Sequence, residues 1–508
     1  MKRRTQIIRG VEYVYEDRAY WNPNKKNATH ERKYIGKMVN GEFVPNKTYK
    51  LEQQLREQKK RRPKKNNTCK REFYGDSYLL EQIANKTGIL EDLREAFPFN
   101  YRELLTLAFY LVLNEGQAMY RFERWALTHY TPSSTRLTSQ RISEQFEMVN
   151  EENKMEYFKL QAKRRSEKEY LAFDTTSISS YSKLIKQAKY GLNKDGDKLP
   201  QINLALLFGE KSRLPVYYRK LPGNILDVKT VEKLINAFKF IDMEKLNLVM
   251  DRGFYSEKNI NDLLNNNHNF LIGLKGSTKI AKEGFKRCYD DMMSIRHYDQ
   301  ETELYMQTEE VAWGDKKLYV HYYYNDQRGT DDRTTFLHHM FDYKEELQNG
   351  SRDPLHESSY TKFFTTKGAD VEFNDEAIKE ARKYAGYFAL MSNDVKDPRE
   401  AIKIYRSKDM IEKAFGNLKE RLDMRRMSVA SEESLEGKLF VQFIALSLLS
   451  YIKKAMDDHQ LFKNYTLQSL LDELSIIEIF RSGSDHYVSE ITKKQASLFS
   501  CMDVPIPT

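Results

Sequence analysis

Two aspartates in this 508-residue chain each close an apolar run. Asp174 follows "YLAF" and opens "DTTS"; Asp251 follows "LNLVM" and opens "DRGFY". A charge at the end of a buried strand is costly unless something pairs with it. Taken singly, each fits a turn cap, a common place for Asp. On neighbouring strands, the two would reach the same cation. Oxygen ligands suit Mg2+, and attack on a phosphodiester by water or a 3′-hydroxyl is commonly run by two such ions about 3.5–4 Å apart. Such a site needs a third acid.

The stretch "IYRSKDMIEKAFGNLKER" (Ile404 to Arg421) offers one. On a regular helix Tyr405, Lys408, Glu412 and Lys419 fall within roughly 60° of one another. One face then carries a carboxylate, two lysines and a tyrosine. A solvated ion-pair ladder is one account of that face. The other is a third metal ligand at Glu412 flanked by lysines that meet phosphates.

The elements that would position these groups follow from periodicity. "EYLAFDTTSI", "QINLALLFG" and "LPVYYRKLPG" read as three successive strands. "DVKTVEKLINAFKFI" follows as an amphipathic helix with Asp227 as its N-cap. "LNLVMDRGFYS", "EKNINDLLNNN" and "NFLIGLK" then give strand, helix and strand. This order is that of an RNase H-like α/β sheet, in which the first and fourth strands are neighbours. Residues 277–385 break the pattern with Tyr- and Thr-rich runs such as "YVHYYYND" and read as a largely β insertion.

At this point the sequence resembles the DDE transposases of bacterial insertion sequences, in the branch with a Tyr-Arg-Glu-Lys signature. Tyr405, Lys408, Glu412 and Lys419 fit its spacing, with Lys408 in place of the Arg. "AFDTTS" and "MDRGFYSEKNI" match the two aspartate motifs, and "KLPGNILDVKT" resembles a Gly-Asn and Asp element between them. The resemblance implies Asp174, Asp251 and Glu412 as a triad holding two Mg2+ ions, with Mn2+ as a substitute. It implies that Tyr405, Lys408 and Lys419 contact DNA; Arg252, beside the second Asp, could do the same or serve the turn. Lys408 keeps the charge of the Arg but loses its two-pronged fork. The implied partners are double-stranded DNA, as terminal repeats and target, and further copies of the chain in a dimer or larger assembly. A structure-specific nuclease on the same fold and an inactive DNA-binding relative are the alternatives.

The expected organisation is a basic β-rich N-terminal region and arm (1–75), a helical, DNA-binding region (76–165), and a catalytic domain in two parts (166–276 and 386–456) around the insertion. A helical C-terminal region (457–508) completes it. The run "LREQKKRRPKKNNTCKR" (Leu55 to Arg71) holds nine Lys or Arg and one acid, which suits an arm on phosphates better than a plain linker. Net charge is +9, a modest surplus compatible with a polyanion. Cys69, Cys288 and Cys501 are the only cysteines, which fits a reducing bacterial cytoplasm and excludes a cysteine-rich zinc site. The start lacks the apolar core of a signal peptide. The run "FVQFIALSLLSYI" is too short to cross a bilayer and reads as a buried helix, so no membrane role is expected. Trp313 reads as a hairpin core residue ahead of a base-stacking one, and His338 and His339 lack partners at metal-ligand spacing. Gly-rich phosphate or dinucleotide loops are absent from the sequence.

Overall fold

The computed structural model describes residues 2–22, 27–53, 69–165, 168–240, 245–367, 370–429, 431–482 and 485–508. Most of the basic run, up to Thr68, lies outside these residues. The chain divides into two compact units, Met1–Lys70 with Phe480–His486, and Arg71–Ile479 with Tyr487–Thr508.

In the first unit the expected β-rich region forms an antiparallel meander of β1 (Lys2–Ile8), β2 (Val11–Asn22), β3 (Asn27–Val39) and β4 (Glu42–Pro45). Arg9-Gly10 and Asn40-Gly41 make two of its turns with positive φ at both residues, the turn that matches strand twist. Val14, Ile35 and Tyr49 fill its small core.

After the short strand β5 (Lys70–Phe73), helices Gly75–Lys86, Ile89–Ala96, Tyr101–Leu113, Ser139–Glu147 and Glu151–Arg164 occupy the region expected to be helical. They are not a separate domain. Leu79, Ile83, Leu93 and Phe109 belong to the same continuous core as the sheet and the long helix Glu432–Asp458. That helix is long and apolar enough to cross a membrane by length and composition, but 83% of its apolar window is buried inside the protein. It is the central post of the core. A Cβ at Gly437 would collide with the backbone of Phe146, so glycine lets the helix Ser139–Glu147 cross it closely.

The central sheet begins with β6 (Tyr170–Ser179), β7 (Gln201–Gly209) and β8 (Pro215–Pro222), an antiparallel meander. Then β9 (Asn247–Met250) pairs parallel with β6, and β10 (Asn269–Leu274) parallel with β9. The insertion contributes β11 (Tyr298–Asp299), β12 (Leu304–Trp313), β13 (Lys316–Tyr324) and a hairpin of β14 (Phe364–Lys367) and β15 (Asp370–Phe373). After β16 (Tyr387–Ser392) the sheet order is β11-β12-β13-β16-β10-β9-β6-β7-β8. This is a mixed α/β architecture.

Residues 277–385 are therefore not largely β. They include helices Lys279–Cys288, Asp326–Gln348, Glu357–Phe363 and Asp375–Arg382. The longest is started by Asn325, whose side chain accepts the Arg328 N–H, and is followed by Gly350 at φ +67°. Met340, Phe363, Phe364 and Val371 form a small core of their own beside it. The C-terminal region likewise mixes helices Leu467–Ser475 and Lys493–Cys501 with strand pieces.

Candidate active site

Asp174 does not end its strand. Thr175, Thr176, Ser177 and Ile178 carry β6 on to Ser179, all paired with β7. What ends there is the other neighbour: the parallel register Phe173↔Met250 is the last pair with β9. Asp174 and Asp251 are thus the first residues past one ladder pair, on strands that lie about 4.8 Å apart. The β-branched run after Asp174 favours strand, which overrides the turn preference of Asp.

Asp251 opens a single 3-10 turn, Arg252–Phe254, and its carboxylate accepts the Arg252 N–H at 2.8 Å. The Tyr405 hydroxyl donates to the same oxygen at 2.7 Å. Burial pushes Asp251 upward, but the Tyr405 hydrogen bond and the nearby Lys408 charge outweigh it and hold the carboxyl below its ordinary pKa. Tyr405 is itself pushed up, first by burial and then by Asp251. Its approach needs Gly273 on β10, where a Cβ would lie 2.8 Å from the Tyr405 hydroxyl and 3.0 Å from the Arg252 nitrogen.

Asp174 has a different environment. Its carboxylate accepts the Thr175 N–H at 2.7 Å and meets Lys194 Nζ at 3.3 Å. Burial raises its pKa, and the lysine only partly offsets that. The same ammonium lies 3.8 Å from Asp227, which accepts the Thr175 hydroxyl at 2.6 Å. Asp227 was expected to cap a helix. Instead it opens the 3-10 turn Asp227–Lys229, and the helix proper begins at Thr230. Four residues earlier, Gly223 lies so close to β7 that a Cβ there would collide with the Gln201 carbonyl.

The Tyr-Lys-Glu-Lys stretch is not one regular helix. Helix Pro398–Ser407 breaks at Lys408, helix Asp409–Gly416 follows, and Asn417–Arg421 is a π turn. Lys408 keeps helical backbone angles and lies over the Tyr405 ring while pairing with Glu412, so three of the four expected residues still share a face; only Lys419 falls in the π turn. Glu412 is exposed and pairs with Lys408 at 3.2 Å, one turn away. Lys419 instead reaches both oxygens of Asp195, at 2.7 and 2.6 Å. Among the described residues, no three His, Cys, Asp or Glu side chains stand together closely enough to hold a metal ion. The donors at Asp174, Asp227 and Asp251 are hard oxygens of the type Mg2+ takes, and the Lys194 ammonium already places a cation on two of them.

Beside Asp251 lies a cleft of about 460 Å³ lined by Arg252, Arg328, Tyr405, Arg406 and Lys408. Four cations around one acid make it a site for anions. Residues 165–448 match the family described as transposase DDE domain. The chain belongs to that family. Membership carries transposition as its activity, with the nuclease chemistry that implies. A comparison with curated proteins finds no match. Among solved structures, this transposase is similar to the piggyBac transposase synaptic complex with hairpin DNA, at 10% identity over 79% of this chain and 77% of that one, with a TM-score of 0.39. It is also similar to the Mos1 mariner paired end complex with Mn, at 14% identity over 46% of this chain and 69% of that one, with a TM-score of 0.15.

In this DDE-domain transposase the fold brings Asp174, Asp251, Tyr405, Arg252 and Lys408 to one region and leaves Glu412 turned to Lys408. Lys194, Asp227, Arg328 and Arg406 are the neighbours that sequence reasoning did not assign. The "PGNILD" element and the threonine after Asp174 were the available signal for Asp227. Trp313 is half-buried at a hairpin end and donates to the Asn261 side chain at 2.7 Å. His338 and His339 lie on the exposed side of helix Asp326–Gln348.

Proposed function

We propose that this transposase binds the inverted ends of its own bacterial element, hydrolyses the phosphodiester at each 3′ end, and joins the freed 3′-hydroxyl to target DNA. The observation that carries this is the pair Asp174 and Asp251, set side by side on parallel neighbours β6 and β9 within the family's domain. The strand order β8-β7-β6-β9-β10 supports an RNase H-like core.

Asp174, Asp251 and Glu412 would hold two Mg2+ ions, or Mn2+, which when bound activate the attacking oxygen and stabilise the leaving one. Glu412 is exposed and would turn from Lys408 toward the aspartates as DNA enters. Tyr405 holds Asp251 ionised and oriented. Arg252, Lys408 and Lys419 bind phosphate oxygens, Lys408 as a point charge without a fork. The work is done by two or more copies of the chain on double-stranded DNA in the bacterial cytoplasm.

Asp174→Asn, Asp251→Asn and Glu412→Gln should each abolish end cleavage while leaving DNA binding intact. A variant that still cleaves removes its residue from the triad. A donor with terminal repeats that is cut but never joined to target would demote the protein to a nuclease.

A further inference from the structure

Every charged side chain between Asn193 and Asp197 meets an opposite charge at or beside the active site. Lys194 Nζ lies 3.3 Å from Asp174 and 3.8 Å from Asp227, and donates to the Thr175 carbonyl at 2.6 Å. Asp195 takes Lys419. Asp197 takes the Arg426 guanidinium at 2.5 and 3.2 Å, and also accepts the Ser179 hydroxyl at 2.9 Å.

The turn is built to present these charges. The Asn193 side chain accepts the Asp195 N–H at 2.8 Å, and Gly196 sits at φ +75° in open space. Lys194 N–H and the Asn193 amide reach Ser177 and Ser179, pinning the turn along the second half of β6. Arg426 is brought there because Met427 N–H donates to the Ser179 carbonyl at 3.2 Å. The rest of the connection is held mainly through its backbone, Lys189 exchanging both hydrogen bonds with Gln201 and Gln187 N–H donating to Glu432. Ile185 is buried, whereas Tyr181, Leu184, Tyr190 and Leu192 are all largely exposed.

An ammonium thus lies on a carboxylate pair suited to a metal ion. Two carboxylates lie on a lysine and an arginine suited to phosphates. We propose that Lys194–Asp197 is a built-in imitation of a cation and two DNA phosphates, and that Lys419 and Arg426 are phosphate-binding residues masked by it until DNA enters. This rests on the transposase function proposed above. Partly exposed ion pairs of this kind are weak and screened by salt. A DNA backbone, which gains from several contacts and releases counterions, can displace them.

The test uses the full chain, a random-sequence DNA duplex and Mn2+ alone. Asp195→Asn/Asp197→Asn should bind the duplex about ten-fold more tightly by fluorescence anisotropy, since two phosphate contacts no longer compete with a tethered acid. The gain should vanish when Lys419→Ala and Arg426→Ala are added, the coupling that a mutant cycle isolates. Lys194→Ala should raise Mn2+ affinity, read by electron paramagnetic resonance. If the double variant fails to fold, Asp195→Asn and Asp197→Asn singly should each show part of the gain. Unchanged or weaker duplex binding overturns the proposal, as does a gain that persists without Lys419 and Arg426. A wild-type chain that binds the duplex normally while the loop variants change nothing sinks only the mask. A chain that binds no duplex in any form sinks the transposase function with it.

Discussion

Asp251 is held by three groups from two places in the chain: its own turn, and Tyr405 with the Lys408 charge across the end of the sheet. A hydrogen bond to an ionised carboxylate is worth about 1.5–3 kcal/mol. Tyr405→Phe should therefore let the Asp251 pKa climb toward the ordinary carboxylate range, as an NMR titration of labelled aspartates would read. An unmoved pKa would count against Tyr405 as the controlling group. Gly273→Ala tests the same contact from behind. Its methyl has no room between Tyr405 and Arg252, so a loss of about 1–3 kcal/mol is expected. A lowered melting temperature together with the shifted Asp251 titration would confirm it. At this scale the sequence was legible where chemistry sits next to a change of period, as at Asp174 and Asp251. Lys194 was not legible, because it reaches the site through a loop, and Asp227 left only the motif trace of "PGNILD". Neither leaves a periodic trace.

Between elements, the most consequential contact is a buried charge cluster. Glu436 on helix Glu432–Asp458 pairs with Lys220 of β8 at 2.8 Å and Lys154 of helix Glu151–Arg164 at 2.5 Å, and Glu432 joins at Lys220. Both lysine side chains are buried, and each keeps a second carboxylate, Lys220 that of Glu432 and Lys154 that of Glu151, so removing Glu436 costs each one of its two acceptors. Glu436→Gln should cost about 1–3 kcal/mol, read as a fall in thermal midpoint. Burial pushes Glu436 up, but the two lysines outweigh it and its folded pKa is depressed. A depressed carboxylate contributes stability that is present above the unfolded value of 4.5 and is lost as pH falls through the folded one. Wild type should lose stability in that acid window, and Glu436→Gln should lose less. Element reading from sequence succeeded for the β6 to β10 order. It failed at the end of Ile404–Arg421, where one π turn shifts the phase at Lys419 and apolar spacing does not reveal hydrogen-bond register.

For the whole molecule, a net charge of +9 matters less than where the cations gather. The cleft beside Asp251, Lys419 and Arg426 are all cationic. If six to ten phosphates are neutralised, duplex affinity should fall by about 10³–10⁵ between 50 and 200 mM salt. A flat salt dependence would argue against a phosphate-tracking surface. The division into domains was the least legible feature. Helices 76–165 looked independent because their periodicity is self-contained, yet their apolar faces share a core with residues more than 300 positions away, around Phe440. Local pattern says that a face must be covered but not by what.

One feature of the sheet bears on how this protein could be trimmed or recombined. Strands β13 and β16 close the flank of β10 through continuous antiparallel ladders. Residues 277–385 are thus no removable ornament, since excising them would take away β13 and leave β16, the next strand in, with a raw hydrogen-bonding margin. Such margins recruit other chains. A shortened version joining residue 276 to residue 386 should self-associate into large species in size-exclusion chromatography, whereas the intact chain should not. Any natural relative that dispenses with this segment would need another device to seal the same flank.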